Sequence, residues 1–282
     1  MILAAGYGTR LLPVTKAQPK EMLPLVDKPV IHYAVEEAVA SGIRDIIIVT
    51  AIGKRAVEDY FDRSRDIEDL LAEKGDLERL EEIRRISQMA DFAYVRQGEP
   101  RGLGDAVLKA RHLVDEPFVL ILPDDVIIGE PPVTQQLMEC FGRRGVSVIA
   151  VQEVSERETS SYGIVAGEAI NDRETRLTRL VEKPPPGEAP SRLAIVGRYL
   201  LTPAVFDAIE RTAPGYGGEI QITDALQVLA DEEGMYAYRF RGQRFDTGRP
   251  LGLLTAALTL ALSRPDVGPE LRQFLKNLPL DG

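Results

Sequence analysis

The chain has 282 residues, of which 44% are hydrophobic, and its 44 acidic and 34 basic side chains give a formal net charge of −10. This length and composition suit a soluble α/β protein with one large domain or two small ones. No segment approaches the roughly 20 apolar residues that cross a bilayer, and the negative charge argues against nucleic acid as a partner. The single cysteine, Cys140, excludes an internal disulfide, so we expect a cytoplasmic protein.

Short aliphatic runs predict buried strands, and they alternate with segments that predict helices. The strand candidates lie at 45–50, 92–96, 118–125 and 147–154. One helix is predicted over 28–42, with Asp27 as its N-cap and Gly42 as its stop signal, and another over 102–114. This alternation predicts βαβ units, and therefore a mostly parallel sheet flanked by helices whose ligands bind beyond the carboxyl ends of the strands.

Two regions depart from this alternation. Residues 62–88 are rich in charge, and their leucines and isoleucines recur at helical spacing, which predicts an amphipathic helical excursion at the edge of the sheet. From roughly 155 to 245, short β patterns between turn residues predict hairpins that form a second, β-rich lobe around the sheet edge. We expect one domain over 1–262, followed by a C-terminal helical segment at 263–282.

Near the start of the chain, "ILAAGYGTRLLPVTKAQPKEMLPL" places Gly6 and Gly8 directly after a very short apolar run. Glycines in this position let the backbone approach a ligand and aim its N–H groups inward, as in many phosphate sites. The segment lacks both the Lys-Ser/Thr ending of a P-loop and the third glycine of a dinucleotide fingerprint. Arg10, Lys16 and Lys20 add cations close to the glycines, so the segment is a candidate site for a small phosphorylated molecule.

The same segment resembles the signature of the sugar-1-phosphate nucleotidylyltransferases. Further pieces resemble that family's blocks in the family's order: "VRQGEPRGLGDAVL", "LPDD", "SYGIV", "VEKP", "VGRYLLTP", "GEIQITDAL" and "RFDTG". The resemblance spans roughly residues 2–260 and is greatest with the branch that transfers uridylyl groups, whose charged insert also resembles 62–88. It implies a Rossmann-like, mostly parallel mixed sheet flanked by helices, with an added β-rich, sugar-binding lobe.

The resemblance implies attack of a glucose 1-phosphate oxygen on the α-phosphorus of UTP, which forms UDP-glucose and releases pyrophosphate. A phosphate monoester is mostly a dianion at neutral pH, so the reaction needs charge neutralisation and in-line positioning rather than a general base. The sequence, with two histidines and one cysteine, shows no arrangement typical of an activated nucleophile. Two alternatives stay open: a glucose-1-phosphate thymidylyltransferase, and a catalytically silent paralogue that regulates a true enzyme.

By this resemblance, five residues have catalytic roles: Arg10, Lys20, Asp124, Lys183 and Asp246. Arg10 and Lys20 are expected on the triphosphate. Asp124 and Asp246 each end a strand pattern, so they are expected to meet across the site and to hold Mg²⁺ as the cofactor. Asp125 competes with Asp124 for that role.

The resemblance also assigns the nucleotide-binding positions, which are Ala5, Gly6, Gly8, Thr9, Glu21, Gln97 and Gly102. Glu21, Gln97 and Gly102 are expected to recognise the base. Gln97 offers a donor and an acceptor, which suits the imide edge of uracil and equally that of thymine. Gly102 is expected to let the backbone come close to the base. Asp105 departs from the family, which commonly has histidine at this position.

The sugar phosphate is assigned to Gly163, Glu182, Lys183 and Glu219 in the same way. Lys183 is expected to hold the phosphate, and Glu182 to accept hydrogen bonds from glucose hydroxyls. Gly163 and Glu219 also fit a turn glycine and a surface acid. The implied partners are therefore the small molecules UTP and glucose 1-phosphate, and the resemblance further implies a homodimer or homotetramer.

Overall fold

The computed structural model describes residues 1–279, with helices on both faces of a central nine-stranded sheet. Strands β1 to β13 span Ile2–Leu3, Pro24–Leu25, Lys28–Pro29, Asp45–Thr50, Asp91–Arg96, Phe118–Ile121, Asp125–Ile128, Val148–Glu153, Gly163–Ala169, Glu174–Glu182, Leu193–Leu201, Tyr236–Arg239 and Gln243–Asp246. Helices α1 to α10 span Val30–Ala40, Arg55–Phe61, Arg65–Glu73, Leu77–Ser87, Leu103–Leu108, Val133–Arg144, Ala204–Arg211, Ile222–Glu233, Pro250–Ser263 and Gly268–Asn277. None of the helices within 1–279 has the length and apolar character needed to cross a membrane.

The central sheet has the strand order β5-β4-β1-β6-β11-β8-β12-β10-β9. Strands β5, β4, β1 and β6 are parallel, whereas β11 is antiparallel to β6 and β8, and β10 is antiparallel to β12 and β9. The prediction of a mostly parallel, mixed sheet is therefore right for the first four strands. Among the other five, only β8 and β12 are parallel, and the remaining pairs are antiparallel. The connection from β9 to β10 shows why: Asn171 accepts hydrogen bonds from two main-chain N–H groups in a tight turn, and a turn this short joins only antiparallel strands.

The strands predicted for a β-rich lobe do not form a sheet of their own. Strands β9 to β12 extend the central sheet, while β13 pairs with β7 in a separate two-stranded sheet. That pairing places Asp246 opposite Asp125 and so brings two predicted strand ends together. Helix α10 lies within the predicted helical segment at 263–282, of which residues 280–282 lie outside the described residues.

The core consists of two main hydrophobic clusters, one on each face of the central sheet. In β6, Leu120 belongs to the cluster shared with α5, α7 and α8, and the next residue, Ile121, belongs to the cluster shared with α1, α2 and α6. Successive strand residues point to opposite faces, so a strand covered on both sides is apolar along its whole length. This explains why the aliphatic runs predicted the strands well.

Helix α1 begins later than predicted. Residues Lys28–Pro29 pair with β2 as a short strand, so Pro29 rather than Asp27 precedes the first helical residue, and no side chain caps the helix. The carboxylate of Asp27 instead pairs with Arg264. The predicted stop is confirmed, because Gly42, which follows the C-cap residue Ser41, has φ 89°.

The charged segment 62–88 is helical as predicted, and it contains two helices, α3 and α4. Helices α3 and α4 are separated at Gly75, which has φ 68°. The carboxylate of Glu68 lies 2.6 Å from Arg63 and 3.1 Å from Arg84, and so ties the two helices together. A pattern of charges at helical spacing does not show this break, because the break depends on one residue with positive φ.

Candidate active site

The glycine loop follows β1 at the carboxyl end of the parallel strands. Gly8 has φ 68°, a left-handed conformation that favours glycine, and its carbonyl accepts a hydrogen bond from Thr15 Oγ1 at 2.8 Å. A Cβ atom built on Gly6 would lie 3.9 Å from Lys20 Nζ. The loop therefore folds back so that the Lys20 ammonium lies beside the glycine backbone. The ammonium and the backbone N–H groups together form a site suited to phosphate.

Asp124 lies between β6 and β7 and faces this loop. Its Oδ2 is 2.6 Å from Lys20 Nζ and 3.7 Å from Arg10 Nη2. Burial disfavours the charge on Asp124 and on Lys20, but their mutual attraction outweighs it, so the pKa of Lys20 is raised and the pKa of Asp124 is lowered. Both groups are thus held in their charged forms where a phosphate would approach.

Asp246 ends β13 and lies close to Asp124. The main-chain N–H and the hydroxyl of Thr247 both donate to the Asp124 carbonyl at 2.8 Å. A Cβ atom built on Gly248 would lie 3.0 Å from Asp124 Oδ2 and 3.1 Å from Asp246 Oδ1, so the two carboxylates border the same small space. Asp124 and Asp246 therefore lie close together, as the sequence predicted.

The two carboxylates suit a magnesium ion. Mg²⁺ is usually bound through one or two carboxylates, with water and phosphate oxygens completing its six ligands. Asp124 and Asp246 supply that number of hard oxygen ligands, and neither is fully buried, with side chains 20% and 21% exposed. Within 1–279, no group of three or more His, Cys, Asp or Glu side chains is arranged to hold a metal ion.

Asp125, the competitor for the role of Asp124, has both carboxylate oxygens engaged within the protein. Its Oδ1 accepts from Arg244 at 2.6 Å, and its Oδ2 accepts from the Gly197 N–H at 2.7 Å. These bonds join β7 to β13 and β11, so this carboxylate fixes the strands in place. The geometry accordingly favours Asp124 as the carboxylate available to a ligand.

Two cavities meet at Asp124. The glycine-loop cavity has a volume of about 400 Å³, and the predicted residues that line it are Ala5, Gly6, Gly8, Thr9, Lys20, Gln97, Gly102, Asp124 and Glu219. Glu219, which was assigned to the sugar phosphate with Gly163 and Glu182, thus lines a different cavity from those two residues. The Tyr162 cavity has a volume of about 180 Å³, and the predicted residues that line it are Arg10, Asp124, Gly163, Glu182 and Asp246. A larger cavity of about 500 Å³ lies at the opposite ends of the strands, between Asp45 and Phe118, and no predicted site residue lines it.

Glu21 does not line the glycine-loop cavity. It is 1% exposed and lines neither cavity, because a single 3-10 turn at Lys20–Met22 directs its side chain into the protein. There its Oε2 accepts from Lys54 Nζ at 2.6 Å. Burial raises the pKa of Glu21 in spite of the nearby Lys54. Its assignment to base recognition therefore stays a prediction, and within residues 1–279 its buried Oε1 has no hydrogen-bond partner.

Lys183 also lines neither cavity, but it lies at the rim of the Tyr162 cavity. Its Nζ is 3.3 Å from Glu182 Oε1 and 4.9 Å from the centre of the Tyr216 ring. The backbone φ of Lys183 is 42°, which is unusual for a residue with a side chain and costs energy. Glu182 is fixed by Thr223, whose hydroxyl donates to its Oε2 at 2.6 Å.

The packing of Gly102 against Ile220 gives a further reason for glycine at this position. Gly102 has φ 112°, and a Cβ atom built on it would lie 2.6 Å from the Ile220 carbonyl oxygen and 2.8 Å from the Ile220 nitrogen. Room for backbone packing thus demands glycine, and close approach of the backbone to a base stays a prediction. Gly102 still lines the glycine-loop cavity, where its carbonyl also accepts from Gln97.

Sequence reasoning missed a buried ion pair beneath Asp124. Arg198, which is 1% exposed, donates to Glu37 Oε2 at 2.8 Å and to the carbonyls of Leu122 and Asp125 at 3.1 and 2.9 Å. Burial disfavours the charge on Glu37, but Arg198 outweighs it and lowers its pKa. The guanidinium therefore holds both ends of the turn that carries Asp124. Its only signal in the sequence is one arginine inside the apolar strand pattern "LAIVGRYLL".

A glycine loop and two carboxylates at the carboxyl end of a mixed sheet are features of enzymes that handle nucleotides. Residues 1–262 match the profile of the family described as Nucleotidyl transferase, and the chain belongs to that family.

Individual proteins of this family are similar over nearly the whole chain. The UTP–glucose-1-phosphate uridylyltransferase of Bacillus subtilis (strain 168) is 49% identical over 279 residues, which are 99% of this chain and 96% of that protein. A UTP-bound UGPase from Acinetobacter baumannii has a TM-score of 0.90 and 38% identity, covering 99% of this chain and 98% of that one. A UDP-glucose pyrophosphorylase complexed with UDP-glucose has a TM-score of 0.85 and 43% identity, covering 93% and 98%.

Proposed function

We infer that the protein transfers a uridylyl group from UTP to α-D-glucose 1-phosphate, giving UDP-glucose and pyrophosphate. The observation that carries this inference is the position of Asp124, which borders both cavities and lies beside Lys20 and Arg10. Two substrates bound in neighbouring cavities would meet at that point. The similarity to a UTP–glucose-1-phosphate uridylyltransferase, and to structures with UTP and UDP-glucose, supports the identity of the substrates.

In the proposed reaction, a phosphate oxygen of the sugar ester bonds to the α-phosphorus of UTP. The bond from that phosphorus to the bridging oxygen breaks, and its electron pair leaves with pyrophosphate. Because both reactants are polyanions, the protein must reduce their repulsion and align them. Lys20 and Arg10 supply positive charge beside Asp124, and the backbone at Gly6 and Gly8 supplies N–H donors. The attacking oxygen is already ionised, so no protein group has to remove a proton.

The Tyr162 cavity is the proposed site of the sugar phosphate. Glu182 is held there by Thr223 and offers carboxylate oxygens to sugar hydroxyls, while the ammonium of Lys183 at the rim is close enough to meet the phosphate. Lys183→Ala is expected to raise the KM for glucose 1-phosphate more than the KM for UTP. Equal changes in the two KM values would contradict this placement.

Mg²⁺ is the proposed cofactor, with Asp124 and Asp246 as its protein ligands. When bound, the ion would withdraw negative charge from phosphate oxygens of the nucleotide and so make the α-phosphorus easier to attack. Arg10, which is 3.7 and 3.8 Å from the two carboxylates, is positioned to balance their charge in its absence.

The first test is pyrophosphate release by purified protein with Mg²⁺ and glucose 1-phosphate, offering UTP, dTTP, CTP, ATP and GTP in separate reactions. Strong preference for UTP is the expected result. Preference for dTTP would instead indicate a thymidylyltransferase. No turnover with any nucleotide, together with normal folding, would indicate a catalytically silent paralogue.

Self-association into a homodimer or homotetramer is also proposed. Helices α9 and α10 expose apolar side chains, with Leu251 73%, Leu254 61% and Phe274 60% exposed. Leu251 and Leu254 are one helical turn apart on α9, and neighbouring exposed apolar side chains are a feature of interfaces. Light scattering is expected to give a mass of at least two chains, and Leu254→Glu to shift it towards one. A monomer mass for the unaltered protein would contradict the proposal.

A cytoplasmic location is proposed from the cysteine. Cys140 is a free, buried thiol in α6. Burial is the main reason that its pKa is raised to about 11, so the thiol is poorly reactive. A lone cysteine with no disulfide partner in the chain suits a reducing compartment. Cell fractionation with an antibody to the protein would test this.

A further inference from the structure

We propose that Asp105 is a positioning residue that fixes which end of the Gln97 amide faces the nucleotide base, and thereby favours uracil over cytosine. The proposal rests on the proposed function, because it takes the glycine-loop cavity as the site of the nucleotide. Neither the motif nor the departure of position 105 from the family's usual histidine indicated such a role. It follows from the contacts of the two side chains.

Gln97 is held firmly at the wall of the glycine-loop cavity. It directly follows the edge strand β5, and its main-chain N–H donates to the carbonyl of Thr50 at 2.8 Å. The residue is only 5% exposed, yet its side chain lines the cavity. The position of the amide is therefore set by the sheet, and what remains to be set is its orientation.

The hydrogen bonds of Gln97 determine that orientation. Its Nε2 donates to Asp105 Oδ2 at 2.8 Å and to the Gly102 carbonyl at 3.3 Å. A carboxylate and a main-chain carbonyl only accept hydrogen bonds, so both must face the NH₂ end of the amide. Both N–H groups are thereby used. Within residues 1–279, no donor reaches the remaining atom, Oε1, so the amide offers the cavity an acceptor.

Asp105 is itself held in place from its other side. It lies in the first turn of α5 and is 2% exposed. Its Oδ1 is 3.1 Å from Lys109 Nζ and 3.4 Å from Arg101 Nη2, while its Oδ2 accepts from Gln97. These contacts keep the carboxylate from turning towards solvent, so Gln97 has a fixed partner.

An acceptor facing the base distinguishes the pyrimidines. The N3 atom of uracil carries a hydrogen and donates, whereas N3 of cytosine is an acceptor, so Oε1 of Gln97 pairs with the first and opposes the second. This differs from the expectation that Gln97 offers the base both a donor and an acceptor, because its donors are already used by Asp105 and Gly102. Thymine has the same N3–H as uracil, so this arrangement does not separate UTP from dTTP.

The test compares the dissociation constants of UTP and CTP, measured by calorimetry on the full chain. In Asp105→Asn, the new amide can donate as well as accept, so Gln97 is free to turn its NH₂ group towards the base. The preference for UTP over CTP is expected to fall by about tenfold or more, the size of one well-placed hydrogen bond. Where turnover is measurable, the change is expected mainly in the KM for UTP.

A second variant shows whether Asp105 acts through Gln97. Gln97→Met removes the amide and is expected to lower the UTP preference by a similar factor, and adding Asp105→Asn in that background is expected to change nothing further. An unchanged preference in Asp105→Asn overturns the proposal, as do independent, multiplicative effects of the two changes. If Asp105→Asn does not fold, Gln97→Met decides alone, and an unchanged preference there overturns it.

The matched control is Asp207→Asn in α7. Asp207 also accepts from a cation, Arg111 at 2.7 Å, but its side chain is 63% exposed and lines neither cavity. The preference of the Asp207→Asn variant for UTP over CTP is expected to equal that of the unaltered protein. If the role of Asp105 were merely structural, Asp105→Asn would weaken the binding of UTP and of CTP equally and leave the preference for UTP unchanged. Binding that favours UTP without formation of UDP-glucose would contradict the proposed function but not this inference.

Discussion

Two groups of charged residues lie on opposite sides of the turn that carries Asp124. The closed ion pair, Glu37 and Arg198, is almost fully buried, and Arg198 is saturated by a carboxylate and by main-chain carbonyls. The open cluster consists of Arg10, Lys20, Asp124 and Asp246. Its arginine is 52% exposed and lies 3.7 and 3.8 Å from its two carboxylates, too far for a direct hydrogen bond.

The difference shows what separates a structural from a functional arrangement of the same residue types. The closed ion pair satisfies its own hydrogen-bonding capacity and has none left for a ligand. The open cluster has charged groups whose hydrogen-bonding capacity is not fully used within the protein. It lies at the border of two cavities, where a polyanion and a cation can bind to those groups. One group is therefore expected to determine stability, and the other to determine turnover.

Removal of divalent cations is the strongest way to test the open cluster. Excess EDTA is expected to reduce turnover to background, because Asp124 and Asp246 would then add negative charge where two polyanions must meet. Pyrophosphate release measures this, and added Mg²⁺ should restore it. Undiminished turnover in EDTA would show that the two carboxylates do not hold a cation needed for the reaction.

The closed ion pair is tested by Glu37→Gln. This change leaves Arg198 buried without its countercharge, which typically costs about 3–5 kcal/mol in the free energy of unfolding. Urea unfolding measures the loss. The matched control is Glu232→Gln, which breaks a pair with Arg211 that is 53% and 47% exposed and should cost about 1 kcal/mol or less. Equal losses in the two variants would remove the distinction between buried and exposed pairs.

Asp246→Asn, in contrast to Glu37→Gln, is expected to lower turnover and to leave stability almost unchanged. Loss of one carboxylate from the open cluster should lower kcat by on the order of 10²-fold, the usual effect of removing one preorganised electrostatic contact. The unfolding midpoint should stay close to that of the unaltered protein. Asp266→Asn is the control, because that exposed carboxylate pairs with Arg264 away from both cavities. A rate near that of the unaltered protein would exclude Asp246 from the reaction.

Glu36 gives the smallest expected effect, because its side chain is 40% exposed. Burial acts to raise its pKa, but His32 and Lys28 outweigh burial and lower it from 4.5 to about 2. Because the pKa of Glu36 is lower in the folded protein than in the unfolded chain, its ionised carboxylate stabilises the folded protein at any pH above about 4.5. This stabilisation is lost as the pH falls from about 4.5 towards 2. Unfolding midpoints over that range should therefore fall less steeply in Glu36→Gln. Parallel curves for the two proteins would contradict this.

The sequence predicted local features well and long-range partners poorly. The strand at 45–50 and the helical insert follow from neighbouring residues, and the motif correctly brought Asp124 near Asp246. The partner of Arg198 is 161 residues away, and that of Glu21 is 33 residues away, so no periodicity could reveal either pair. The resemblance assigned Glu21 to the base, which stays a prediction, whereas the single turn of backbone that directs its side chain to Lys54 had no signal in the sequence.

The hydrogen bond from the Thr247 N–H to the Asp124 carbonyl has a further consequence for protein engineering. A main-chain donor is present in every residue except proline, so this connection does not depend on which side chains the two strand ends carry. The distance between positions 124 and 246 is therefore set by the backbone. A designer could therefore replace the two carboxylates with imidazole or thiolate ligands, in search of a different metal preference, without rebuilding the backbone that positions them.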